Sequence, residues 1–198
     1  MSDIKQEIAV TAARLVVEEG LEYGPAKQRA VKQLGLNRRA ELPDNDELED
    51  QVREYLALFC ADTQPAELAA LRALAAQWME RLAEFRPHLS GAVWRGTATR
   101  LSNIHLQLFC DDSKSTEIAL INQGLDYEVG SSTVHGRQID VLGLSVPCRE
   151  LGEPVLVLLS ILDHDDLRGA LKPDARGRSE RGDLAALRQL IEKESMQP

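Results

Sequence analysis

Asn103 and His105 stand two apart at the entry to the alternating run Ile104-His105-Leu106-Gln107-Leu108-Phe109. A strand places such residues on one face, so an amide and an imidazole at this spacing could address a single ligand or divalent ion. Upstream, Gly91-Ala92 opens a small-residue turn that leads through Arg95-Gly96-Thr97 to Ser102. Downstream, Asp140 in Gln138-Ile139-Asp140-Val141 brings one carboxylate into a later predicted strand. Magnesium asks for hard, anionic oxygens, and neither Asn103 nor His105 supplies one. The other polar groups read as structure. Asp163-His164-Asp165-Asp166 is metal-competent in type, yet consecutive positions do not share a face, and acids ahead of Leu167 suit a helix start. Asp111-Asp112 before Ser113-Lys114-Ser115 reads as a turn and helix cap. Cys110 and Cys148 lack a histidine at any recognised spacing, and Ser102 lacks a nucleophile elbow, so covalent catalysis has no basis in the sequence. A phosphate loop of the Gly-x-x-x-x-Gly-Lys-Ser/Thr type is absent.

From Gly91 to Leu106 the order of residues resembles the signature of the polymerase-beta-type nucleotidyltransferase superfamily. Gly91, Arg95, Gly96, Thr97 and Ser102 stand in register with it. Ala92 replaces the family's phosphate-contacting serine, and Asn103 and His105 occupy the positions of its two metal-binding carboxylates. Asp140 stands where the third carboxylate would enter. The resemblance implies an α+β fold, with a nucleotidyltransferase-like mixed sheet over residues 87–171 after a helical region to Arg86. It implies a cleft lined by Gly91, Arg95, Gly96, Thr97, Ser102, Asn103, His105 and Asp140, with Arg95 as the anion contact. The substitutions imply a degenerate, non-catalytic member that keeps the cleft for a nucleotide, an RNA end or a protein partner. An alternative is an active enzyme in which Asp140, as metal ligand and catalytic carboxylate, and an unrecognised second carboxylate hold Mg²⁺ for a nucleoside triphosphate. A third class, a structural helical interaction protein, predicts an exposed apolar patch in place of a ligand.

The chain has 198 residues and a net charge of −9, with a pI near 5.0. Such a field repels phosphate, which argues against general DNA coating or a membrane-surface role. The start of the chain carries two acids without a long apolar run and no stretch approaches a membrane span, so a cytoplasmic protein is expected. Cys60, Cys110 and Cys148 read as free buried thiols.

The elements that must position the motif follow from apolar spacing. Ile8, Ala12, Leu15 and Val16 predict a first helix that stops at Gly20. Pro25 opens a second, ending at Gly35, with a basic outer face of Lys27, Arg29, Lys32, Arg38 and Arg39 that reads as a solvated face paired with acidic neighbours, or else as a phosphate or RNA contact. Asp44-Asn45-Asp46-Glu47 starts a third helix, and Thr63 and Pro65 open a longer fourth. Its apolar face runs through Trp78 and Phe85 until Pro87 breaks it, and both aromatics belong to the core rather than to a stacking platform. Strands are expected over Leu125–Val129, Ile139–Val146 and Val155–Leu162, the last buried and central, with a hairpin punctuated by Gly130-Ser131-Ser132 and His135-Gly136. A short helix over residues 163–171, an exposed linker over Lys172–Gly182 and a helix capped by Asp183 complete the reading, so that residues 172–198 form linker and C-terminal helix.

Overall fold

A computed structural model of the chain describes residues 3–37, 39–168 and 172–196. The first compact unit runs through Glu67 and includes Thr99–Leu101. Helices α1 (Asp3–Glu19), α2 (Tyr23–Gln33) and α3 (Asn45–Phe59) bury Ile8, Ala12, Leu15, Ala26, Ala30, Leu48 and Val52 against one another. Local chemistry sets their ends. Gly20 turns with φ +69, where an added Cβ would press on Leu101. Asp44 Oδ1 accepts from Glu47 N at 2.8 Å while Glu47 Oε2 accepts from Asp44 N at 2.8 Å, which is the reciprocal cap expected at that acidic start. Two residues of the basic stretch have structural partners. Arg29 pairs with Glu19 at 2.5 Å. Lys27 corrects the expectation of an outer face, because it is buried and its Nζ donates to Asn45 at 2.8 Å. Burial pushes the Lys27 ammonium below its ordinary pKa. Arg38 lies outside the described residues.

The division between the units falls within helix α4 (Gln64–Arg81), not at Arg86, because from Leu68 onward its apolar face packs on the sheet of the second unit. That unit carries strands β1 (His88–Ser90), β2 (Ile104–Phe109), β3 (Glu128–Val134), β4 (Arg137–Cys148), β5 (Glu153–Leu162) and β6 (Arg181–Gly182), in the spatial order β3-β4-β5-β2-β1-β6. β2 and β5 pair in parallel and the other neighbours are antiparallel, so the fold is α+β with a mixed sheet. One face is covered: Ile104, Leu106, Leu108, Leu142, Leu144, Val157 and Leu159 form a core with Leu71, Met79 and Trp78 of α4. Leu120 of α6 (Ser113–Asn122) and Leu187 of α7 (Leu184–Ser195) belong to the same core, as does Phe85.

β5 takes the expected central position but is buried on alternate residues only, with Leu156 exposed. Three further expectations change. Gly130-Ser131-Ser132 lies inside β3, and the hairpin turns on His135 and Gly136 alone, both at positive φ (+49 and +74). Lys172–Gly182 is ordered locally: Asp174 Oδ1 accepts from Arg176 N and Arg178 N at 2.9 and 2.8 Å, and Arg181–Gly182 pair with β1. Of the helix expected over residues 163–171, the described part is a 3₁₀ turn at His164–Leu167, and Gly169–Leu171 lie outside the described residues. Asp163 and Asp166 cap that turn reciprocally, and Asp112 caps α6 by accepting from Lys114 N at 2.9 Å. Cys60 and Cys110 are half-buried and Cys148 is buried; all three are free. No described helix is long and apolar enough to cross a membrane.

Candidate functional site

The second face of the sheet is polar at its centre. Alternation along β2 turns Ile104, Leu106 and Leu108 into the covered core and sends His105 and Gln107 the other way, where both are half-buried. Register then determines their neighbours. His105 lies between Ser90 of β1 and Leu158 of β5, and Gln107 between His88 and Ser160. Beyond β5 the same face carries Val141 and Gly143 of β4 and Glu128 of β3. A cavity of about 380 Å³ opens here, with Leu156, Leu158, Gly143 and Val141 as apolar floor and His105, Ser160, Ser132 and Glu128 as polar rim.

Gly91 and His105 lie against each other. Gly91 begins the short helix α5 (Gly91–Arg95) at φ +72, and an added Cβ would come 3.3 Å from His105 Cδ2. Glycine serves twice at this position, once for the left-handed backbone and once for room under the imidazole. Gly96 ends α5 at φ +87. Thr97 follows, buried, and its Oγ1 has no hydrogen-bond partner among the described residues. Ser102 and Asn103 are half-buried, but the ladder begins only at Ile104, so Asn103 stands just outside the strand that was to align it with His105.

Arg95 pairs with Glu180 at 3.8 Å. Asp140 does not join the others. It keeps step with Leu142 and Leu144, whose side chains enter the covered core, so it projects from the opposite face to His105, exposed beyond the helical cover. It lines instead a smaller recess of about 240 Å³ with Cys110, Asp111, Arg137 and Asp163. The residues on the open face therefore do not fit the magnesium site that the resemblance implies. An amide, an imidazole, a leucine and a serine stand where hard anionic oxygens are needed. Among the described residues no group of three or more His, Cys, Asp or Glu side chains is placed to hold a metal ion.

Two arginines escaped sequence reasoning. Arg72 lies at a core position of α4, one residue after Leu71, and is buried. Its Nε and Nη2 donate to the carbonyls of Val93 and Trp94 at 2.9 and 3.0 Å, which holds the C-terminal end of α5 with a cation. Its Nη1 meets Glu194 as an ion pair without hydrogen-bond alignment. The available signal was a lone arginine in an apolar helical stripe. Arg181 projects from β6 beside Ser90 on the open face, and its Nη1 donates to Gln107 Oε1 at 2.6 Å. No local pattern marked it, since its neighbours come from strands far away in the chain.

No family model matches the chain, and no curated protein does. Two solved structures of Cid1 poly(U) polymerase are similar to it, one with MgGTP bound and one in complex with the UTP analog UMPNPP. The first is 14% identical with a TM-score of 0.37, covering 55% of this chain and 38% of its own. The second is 13% identical with a TM-score of 0.36, covering 55% and 36%. The chain thus spans well under half the length of either.

Proposed function

We propose that this chain is a degenerate nucleotidyltransferase-like protein that binds a nucleotide on its open sheet face without transferring it. The observation that carries the reading is the make-up of that face. Gly91 packs against the His105 ring, while no carboxylate flanks His105 on β1, β2 or β5. Two-metal phosphoryl transfer stabilises the attacking and leaving oxygens with ions held by carboxylates, so this face retains a binding surface and lacks the groups for that chemistry. The cavity suits the ligand class: its leucine and glycine floor offers a flat surface for a base, and its serines offer hydroxyls to a sugar. Catalysis through Asp140 is disfavoured by its projection from the other face.

Thermal unfolding against nucleoside triphosphates, with and without Mg²⁺ or Mn²⁺, tests this reading. A ligand at about 100 times its Kd stabilises by roughly 2.7 kcal/mol. Stabilisation without product formation is the expected outcome, and turnover of a triphosphate that is lost in Asp140→Ala would overturn it. The double variant Asn103→Asp, His105→Asp should gain Mg²⁺-dependent stabilisation, because it returns two hard oxygens to the β2 entry.

A further inference from the structure

We infer that Arg181 is the anion anchor of the open sheet face, and that the ligand's phosphates meet this guanidinium directly, with no metal ion between them. The inference rests on the nucleotide-binding reading of the face and assigns its charge recognition.

Five arginines of the second unit meet a carboxylate: Arg72 meets Glu194, Arg95 Glu180, Arg137 Asp166, Arg178 Asp174 and Arg188 Glu80. Arg181 differs from these. It is half-buried, the one hydrogen bond of its guanidinium among the described residues goes to the neutral amide of Gln107, and its Nε is buried with no acceptor. A guanidinium carries five donors in a planar fork, and a buried donor left without an acceptor is unfavourable, so this group is arranged to accept more than it holds. Its place is also specific. Register runs Arg181, Ser90, His105, Leu158, Gly143 and Glu128 across the face, one residue per strand.

That row gives the surface a direction. The cation stands at the β6 end, two strands from His105, and the only charged group in the row beyond His105 is Glu128 at the β3 end, three strand spacings or about 14 Å away. A ligand lying along the row would put its negative end toward Arg181 and its planar, neutral end over Leu158 and Gly143. A nucleotide has this polarity. Arg95, the anion contact that the motif suggests, is already engaged by Glu180, which leaves Arg181 as the cation of the face. Direct guanidinium–phosphate recognition is bidentate and needs no metal, which matches a face without carboxylates.

The test is binding of ATP and of inorganic tripolyphosphate to the whole chain in EDTA, followed by calorimetry and thermal shift, for the wild type, Arg181→Gln, Arg181→Lys and Arg95→Gln. Unliganded melting temperatures verify that each variant folds. Binding of both probes in EDTA is expected, weakened about tenfold or more in Arg181→Gln, partly restored in Arg181→Lys and little changed in Arg95→Gln. Binding that requires Mg²⁺ and is indifferent to Arg181→Gln overturns the anchor and leaves the nucleotide reading standing. Failure of both probes to bind, with or without Mg²⁺, overturns the two together.

Discussion

The helical unit and the open face of the sheet use polar groups in opposite ways. In the helical unit charges meet charges, as Lys5 reaches Glu47 at 2.9 Å and Arg29 reaches Glu19, and the Tyr55 hydroxyl donates to Glu18 at 2.5 Å, although Lys27, itself buried, meets the neutral Asn45. On the open face Arg181 meets a neutral amide, and His105 rests on a glycine beside a cavity. Mutually paired charges fix a shape. A guanidinium placed against one neutral amide keeps donors that a ligand can meet.

The largest effect should come from comparing the two faces of the sheet. Leu106→Ala on the covered face should cost about 2–5 kcal/mol in urea unfolding, since it opens a cavity among fully buried side chains. Leu156→Ala, 41% exposed on the other face, should cost under about 1 kcal/mol and act on ligand affinity instead. Equal losses at both positions would mean that the second face is core. Next in size is Gly91→Ala, expected to cost about 1–3 kcal/mol through its left-handed backbone and to displace the His105 ring, visible as a moved imidazole resonance. Gly136→Ala provides the control, with similar φ and open space around it, so any excess at Gly91 measures the imidazole contact.

A smaller effect separates the two kinds of arginine. Arg29→Ala removes an exposed pair and should change stability by at most about 1 kcal/mol, leaving nucleotide binding alone. Arg181→Gln should leave unfolding nearly unchanged and reduce binding. The reverse pattern would place function in the basic stretch of the helical unit. The smallest effect is at alkaline pH. The Glu18 hydrogen bond, helped by burial, pushes Tyr55 up to about 12 from an ordinary value of 10.0. Because the folded value is the higher, the Tyr55 contribution is fully present below about pH 10 and is lost as pH rises toward 12. Tyr55→Phe should therefore flatten the alkaline limb of unfolding stability between those values.

Much of the fold could be read from neighbouring residues. The helix stop at Gly20, the caps at Asp44, Asp112 and Asp163, and the core roles of Trp78 and Phe85 depend on contacts within a few residues or on a helical stripe. The candidate site was legible only in part. Gly91 and His105 lie together, whereas Asp140, which the resemblance aligns with a third carboxylate, projects from the other face.

Sequence by itself determined several helix ends, at Gly20, Asp44 and Asp183, because capping and glycine backbone freedom act locally. It also determined that no pair of carboxylates enters β2. Tertiary structure alone decided which face each strand residue joins, because alternation gives two faces without saying which is covered. It set Arg181 beside Gln107 across 74 positions of chain through the pairing of β6, β1 and β2, and it engaged Arg95 with Glu180. Such partners are chosen by strand order and register, which arise from packing over the whole sheet.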